Sequence, residues 1–197
     1  WSYDLRPAEA DDPDAPPRLT RSQATPIVVD GIMYLPTRDR IVALDPTSGE
    51  EIWSSPVTGG PPSRRGVAFW AGEGRDSARL LYTSGTRLIA LHAGTGATVG
   101  EFGEAGVVEM GVPYLSVPFV HGNIVVVGAN TPPGEIGGIG NARAYDARTG
   151  EKLWEFSSVA QPGMVGHDTW AGDSWRGRLG ANAWPFYFTF DAERELL

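Results

Sequence analysis

The chain has 197 residues, 41% of them apolar, with 26 Gly, 16 Pro, a net charge of −8 and an isoelectric point near 4.8. The acidic balance argues against a nucleic-acid partner, which needs a basic face. The absence of cysteine excludes disulfides and thiolate metal sites and leaves the redox compartment unread. No apolar run approaches the roughly 18 residues that cross a bilayer.

Taken in chain order, Trp1-Ser2-Tyr3 reads as a strand, and the Pro- and acid-rich stretch from Pro7 to Arg18 as a solvated loop. With Trp as the first residue, any signal peptide has been removed or lies outside the sequence. From Thr25 strand signals are dense. Pro26-Ile27-Val28-Val29 and Ile32-Met33-Tyr34-Leu35 flank Asp30-Gly31, a hairpin turn. Two further strand-like runs lie on either side of Asp45-Pro46-Thr47-Ser48-Gly49, the second carrying Trp53. The turn phrase recurs as His92-Ala93-Gly94-Thr95-Gly96 and as Asp146-Ala147-Arg148-Thr149-Gly150 followed by Trp154. Its final glycines stand 47 and then 54 residues apart (96 − 49, 150 − 96).

A period of that size marks a repeat architecture in which each unit is one supersecondary block. Here the block is a four-stranded antiparallel sheet, so the predicted fold is all-β: a β-propeller. Asp offers a side-chain acceptor to turn amides, and Trp is an apolar plate able to pack between neighbouring sheets. The second copy is degenerate: His92 replaces Asp, as a turn residue rather than a catalytic one, and the Trp position falls to Val99 or Phe102. Predicted blades span about 24–56, 64–104 and 114–157. The start of a fourth lies at 182–197, with Ala183 to Phe190 as its opening strand. Closed propellers carry 4–8 blades, so residues 1–197 are expected to be about three and a half blades of a larger propeller, taken here as eight-bladed. No helix is predicted.

Three long connections rich in Gly, Trp and polar residues, Thr58 to Arg65, Asn130 to Asn141 and Ser157 to Asn182, are where chemistry is expected. Gly138-Ile139-Gly140 lacks the third glycine and the following helix of a dinucleotide loop. The three histidines, His92, His121 and His167, are too dispersed for a local zinc motif, and no nucleophile elbow is present.

The stretch His167-Asp168-Thr169-Trp170-Ala171-Gly172-Asp173-Ser174-Trp175, followed by Gly180-Ala181-Asn182-Ala183-Trp184, resembles the pyrroloquinoline quinone (PQQ) dependent alcohol and sugar dehydrogenases. The membrane-type glucose dehydrogenase branch is the nearest in flavour. Arg64-Arg65-Gly66-Val67-Ala68-Phe69-Trp70 and Gly134-Glu135-Ile136-Gly137, running on to Ala144-Tyr145-Asp146, resemble two further stretches of the family in the same order. The resemblance implies that Glu135 and Asn182 are ligands of a catalytic Ca²⁺, a hard cation suited to carboxylate and amide oxygens. Taken as unplaced residues, they are equally a loop carboxylate and a turn former.

The resemblance also implies that Arg65 pairs with a PQQ carboxylate, that the planar cofactor stacks on Trp170, and that Gln23 and Ser116 lie near it. Read without the family, Arg65 is a surface arginine and Trp170 core packing. The methanol-oxidising branch carries a vicinal disulfide at a place that falls around Gly59-Gly60 here, and this chain has no Cys. The family's catalytic Asp falls beyond Leu197, so no catalytic base is assigned, and Asp168, Asp173 and Asp191 are not promoted to the role.

The implied parent oxidises an alcohol or aldose in the periplasm and passes electrons to a membrane quinone or cytochrome c. Any tether to the inner membrane belongs to a segment outside this chain, and the chain alone is expected to show little or no turnover. The competing expectation is a non-catalytic propeller scaffold of the outer-membrane assembly type, which has no reason to keep Arg65, Glu135 and the Trp170-to-Asn182 loop together.

Overall fold

The computed structural model describes residues 1–5, 23–130, 141–177 and 188–197. Strands β1 (Ile27–Val29), β2 (Ile32–Pro36), β3 (Arg40–Leu44) and β4 (Glu51–Pro56) form the first antiparallel sheet. Strands β5 (Ala68–Trp70), β6 (Arg79–Ser84), β7 (Arg87–His92) and β8 (Val107–Glu109) form the second. Strands β9 (Phe119–His121), β10 (Ile124–Val127), β11 (Ala142–Asp146) and β12 (Lys152–Phe156) form the third. In each sheet, neighbours in sequence are neighbours in space. Among the described residues the helical content is one 3₁₀ turn, His167–Thr169. The fold is therefore all-β, as the repeat phrase predicts.

Strand alternation explains why the sheets stack face to face. In the second sheet Leu80 and Tyr82 of β6, with Ile89 and Leu91 of β7, join Tyr34, Ile41 and Ala43 of the first sheet in one core. The residues between them, Leu81, Leu88 and Ala90, turn the other way and join Val125, Val127 and Tyr145 of the third sheet in a second core. Every residue of β6 is buried as a result. The first strands of the second and third sheets, β5 and β9, lie against each other, while β12 is exposed along its whole length. First strands converge and last strands face outward, which is the blade geometry of a propeller.

The turn phrase closes each sheet by a shared hydrogen-bond scheme. Asp45 Oδ1 accepts the amides of Thr47 (2.7 Å) and Ser48 (3.1 Å), and Gly49 N donates to Asp45 O (2.8 Å). Asp146 Oδ1 does the same for Arg148 (2.8 Å) and Thr149 (3.0 Å), with Gly150 N on Asp146 O (2.8 Å). At the second copy the backbone bond from Gly96 N to His92 O survives at 2.8 Å, and the His92 ring faces Ser77 Oγ at 3.0 Å. His92 is thus a turn residue, as expected.

The tryptophans tie one sheet to the turn of the next. Trp53 lies flat on Gly96, where a Cβ would stand 2.4 Å from the indole, and its Nε1 donates to Ala93 O at 3.0 Å. Trp1 repeats the arrangement on Gly49, with Nε1 on Pro46 O at 3.1 Å. At the third turn the place against Gly150 is filled by Val108, whose Cγ2 would stand 2.5 Å from a Cβ there. This corrects the expectation of Val99 or Phe102, both of which are sealed in the second core. The chain detours after Gly96 through a turn held by Phe102 N to Val99 O (3.0 Å) and by the Glu104–Val107 bridge. The fourth strand consequently starts at Val107, later than the phrase spacing suggests.

Of the predicted fourth-blade strand, residues 183–187 lie outside the described residues. Phe188 and Phe190 each sit 6.5 Å from Phe119, and Phe190 packs on His121 at 3.9 Å. The chain after β12 therefore returns to the side of β9.

The end of the sheets that carries the turn phrases is wired by charge. Arg79, 1% exposed, lies over Trp70 at 5.1 Å and donates to the carbonyls of Ala147 (3.1 Å) and Arg148, linking the second sheet to the third. Trp70 Nε1 donates to Asn123 Oδ1 (3.1 Å), Asn123 Nδ2 to Glu73 Oε2 (2.6 Å), and Arg148 bridges Glu73 and Asp146.

Two outcomes are expected. Gly96→Ala should destabilise by at least ~2 kcal/mol more than Gly122→Ala in urea unfolding. Both positions have positive φ, but only Gly96 has an indole where the methyl would go. The second concerns acid. The Arg148 guanidinium holds the Asp146 carboxyl down at about 2. The stabilisation is full above the unfolded value and is lost as pH falls from about 4 through about 2. The shift is worth at most about 2 kcal/mol, nearer about 1 given the exposure of Arg148. The stability deficit of Asp146→Asn, measured by denaturant titration at several pH values, should therefore shrink towards zero between pH 6 and pH 2.

Candidate cofactor site at one end of the sheets

Antiparallel order sends every sheet's first strand off from one end and returns its second strand there. At that end lie Thr25 before β1, the β4–β5 connection with Arg65, the β6–β7 hairpin, and the β8–β9 connection with Ser116. The ends of β10 and β11 that flank Glu135, and the end of β12 from which the Trp170 segment departs, lie there as well. Glu135 and Asn182 themselves fall outside the described residues.

Backbone hydrogen bonds draw these segments together. Thr25 N donates to Arg65 O at 2.9 Å, so the Gln23 backbone lies two residues from the contact with the turn that precedes β5. Arg65 N meets Ser63 Oγ at 3.4 Å, and that hydroxyl donates to Leu115 O at 3.3 Å, the residue before Ser116. Gly66 is squeezed between the two: a Cβ would stand 3.0 Å from Thr25 O and 3.2 Å from Val117 Cγ2. Gln23, Arg65 and Ser116 thus belong to one neighbourhood. Gln23 is exposed, Arg65 half-buried and Ser116 fully buried.

Ser116 Oγ is sealed from solvent without an aligned hydrogen-bond partner; the Tyr114 phenol lies beside it and interacts without the geometry of a full bond. Burial raises the Tyr114 pKa above the usual phenol range, so that group stays a neutral donor.

Trp170 follows the 3₁₀ turn, its amide bonded to His167 O at 3.1 Å, and its indole Nε1 is buried without a partner. The turn is braced by His167 against Trp175, edge to face at 5.4 Å, and by His167 Nδ1 on Ala160 O at 3.3 Å. The segment joins the third sheet through Ser158 N to Asn141 Oδ1 at 3.3 Å.

Several residues at this end escape a reading of the sequence. The β6–β7 hairpin is a post for both connections. Thr83 O accepts Ser63 N (2.7 Å) and Thr83 Oγ1 donates to Ser116 O (3.1 Å). Gly85 O accepts Tyr114 N (3.1 Å), and Thr86 O accepts Met110 N (2.8 Å). Ser84 and Arg87 hold the Thr58–Gly60 stretch. On β11, Arg143 is 6% exposed and pairs with Glu155 at 3.1 Å, while its Nη1 is buried without a partner. A charged residue flanked by two alanines inside a strand is the signal that could have singled it out.

Comparison with known proteins gives this end a context. The family described as "PQQ: glucose/ethanol/alcohol dehydrogenase, beta-propeller domain" matches residues 1–197. The chain belongs to that dehydrogenase propeller family. It is 30% identical over 201 residues to methanol dehydrogenase [cytochrome c] subunit 1 of Methylobacterium organophilum, covering 86% of this chain and 31% of that protein. It is 32% identical over 217 residues to the quinohaemoprotein alcohol dehydrogenase of Comamonas testosteroni, covering 98% and 28%. The solved structure of the quinohaemoprotein alcohol dehydrogenase ADHIIG of Pseudomonas putida HK5 superposes with a TM-score of 0.67 at 29% identity, covering 87% of this chain and 27% of that one. The chain thus spans less than a third of the length of these relatives.

As a member of the PQQ propeller family, the chain offers donors that fit a planar, multiply carboxylated cofactor. Arg65 is a planar cation, Ser116 Oγ and Trp170 Nε1 are buried donors without an aligned acceptor, and the Gly66 backbone is free of a side chain. Among the described residues no cluster of three or more His, Asp or Glu could hold a metal ion. Thr83→Val removes the hydroxyl that caps the buried Ser116 carbonyl at nearly constant volume. It should cost about 1–3 kcal/mol in urea unfolding, whereas Ser77→Ala on the exposed opposite end should cost under about 0.5 kcal/mol.

Proposed function

We propose that this chain is part of a quinoprotein dehydrogenase that oxidises an alcohol or aldose, with PQQ and Ca²⁺ bound at the end of the sheets where Arg65 and Ser116 meet. The observation that carries the reading is the convergence of the Gln23, Arg65 and Ser116 segments on one end of the sheets, through bonds from Thr25, Ser63 and Thr83. Family membership along residues 1–197 supports it.

In this reading Arg65 presents its fork to a PQQ carboxylate, a match of planar donors to planar acceptors. Ser116 donates its hydroxyl to a second carboxylate. Trp170 supplies the face on which the ring system stacks, and Gln23 offers an amide at the edge. Glu135 and Asn182 contribute a carboxylate and an amide oxygen to Ca²⁺. When bound, PQQ with Ca²⁺ supplies a polarised ortho-quinone able to accept a hydride from the carbinol carbon. The residues of this chain bind, orient and keep water away; the proton-accepting carboxylate is assigned to sequence beyond residue 197. Electrons would pass to cytochrome c or a membrane quinone, and the protein would work in the periplasm. Methanol dehydrogenase and quinohaemoprotein alcohol dehydrogenase among the relatives favour an alcohol over a sugar.

The test is PQQ binding by the complete protein that contains this chain, followed by quenching of tryptophan fluorescence with Ca²⁺ present. Arg65→Ala should raise the PQQ Kd by at least ~10-fold, the loss expected for one charge-assisted bidentate contact. Glu135→Ala should abolish the dependence of that binding on Ca²⁺. Unchanged affinity in both variants would end this assignment of the site.

A further inference from the structure

The β4–β5 connection is held at a second place, away from Arg65. The Arg87 guanidinium donates through Nη2 to the Thr58 carbonyl and to Ser84 Oγ (3.0 Å), and Ser84 Oγ in turn donates to Gly60 O at 3.1 Å. Between those carbonyls, Gly59 has φ +72° and presents a bare Cα to the guanidinium: a Cβ would stand 3.0 Å from both Nη1 and Nη2. Both amino groups of the fork approach the loop at this glycine, a two-pronged contact that the single head of lysine would not reproduce. Pro61 and Pro62 follow, with Pro62 buried, before Ser63 N reaches Thr83 O at 2.7 Å.

The Ser63 pin on Thr83 holds the far half of this loop, together with the bonds of Ser63 to Leu115 and of Arg65 to Thr25. The second pin on the hairpin, at Thr58–Gly60, is joined to the first through two prolines of fixed φ and fixes the near half. Both pins belong to one rigid hairpin, whose strands β6 and β7 are buried in the molecule's two cores. Holding a binding group from rigid elements by locked side chains is how a site keeps its geometry before the ligand arrives.

We propose that Arg87, with Ser84, is a positioning residue of the cofactor site: the clasp on Thr58–Gly60 fixes the loop from which Arg65 approaches PQQ. It rests on the role given to Arg65 above. Arg87 itself touches no cofactor; it acts through the loop.

The experiment uses the complete protein that contains this chain, in six forms: unsubstituted, Arg87→Ala, Arg87→Lys, Ser84→Ala, Arg65→Ala and the Arg65→Ala/Arg87→Ala double variant. Two quantities are read, the PQQ Kd by fluorescence quenching and amide hydrogen exchange of residues 57–65 in the cofactor-free protein. Arg87→Ala should raise the Kd by about 10-fold and Ser84→Ala by about 3-fold, in keeping with the loss of preorganisation. Both should speed exchange in 57–63. In the Arg65→Ala background Arg87→Ala should add less than about twofold, because residues acting as one unit are non-additive. Arg87→Lys should not restore affinity.

A change in Kd below twofold for Arg87→Ala, or a full tenfold effect on top of Arg65→Ala, would overturn the proposal. Should Arg87→Ala fail to fold, Ser84→Ala decides in its place, and an unchanged Kd with unchanged exchange in that variant would overturn the proposal equally. An unsubstituted protein that binds no PQQ would overturn the functional reading itself, and exchange in 57–63 would then tell whether the clasp exists without it.

Discussion

The second sheet is buried on both faces, and the rest of the molecule follows from that. Leu80, Tyr82, Ile89 and Leu91 need the first sheet to cover them, and Leu81, Leu88 and Ala90 need the third. With buried side chains worth roughly 1.5–3 kcal/mol each relative to exposure, no single sheet of this size would hold its form alone. Stacking is therefore an obligation, and it constrains direction as well as position. Once adjacent sheets share cores and their first strands converge at β5 and β9, every strand reversal must fall at one of two ends. The gathering of Arg65 and Ser116 at the same end is a consequence of this packing.

The two ends are built from different chemistry. One end relies on charge: Arg79 over Trp70, Arg148 between Asp146 and Glu73, and Asp carboxylates capping turn amides. Around Arg65 and Ser116 the ties are carbonyls and hydroxyls: Thr83, Ser63 and Ser84 join loop to loop, with Arg87 reaching backbone oxygens. The cations at this end are engaged locally, Arg87 with backbone oxygen and Arg143 with Glu155, while the bonds that join the Arg65 and Ser116 segments to each other come from hydroxyls and backbone amides.

The fold was legible because its signals are local. An Asp or its substitute, a Gly with positive φ and a following Trp are all contained in a short phrase, and the structure is all-β with four-stranded antiparallel sheets as that phrase predicts. The slip at the second repeat was also physical. Val108 stands against Gly150 because the chain takes an extra turn between Gly96 and Val107, and a missing Trp leaves nothing in the sequence to mark the register. The candidate site rests, in the sequence, on resemblance alone. Arg65 and Ser116 look like a surface arginine and a loop serine until Thr25, Ser63 and Thr83 are seen to join their backbones. Arg87 and Thr83 read as ordinary strand residues, because each holds a carbonyl far off in the sequence, at Thr58 and Ser116, and no spacing rule reports a contact of that kind.

The degenerate repeat and the positioning hairpin are the same sheet, and the coincidence has a physical logic. A repeat that docks its neighbour through an indole plate spends its fourth strand on that contact. In the second sheet the neighbour's turn is met by Val108 and the Gly103 backbone in place of an indole, and Arg79 adds a link to the third sheet by reaching the carbonyls of Ala147 and Arg148. The sheet is thereby anchored at its far end by a buried cation and at its faces by two cores. Its near end, the Thr83–Arg87 hairpin, is rigid on those grounds before any loop touches it. Its hydroxyls, carbonyls and guanidinium can therefore serve the loops on either side.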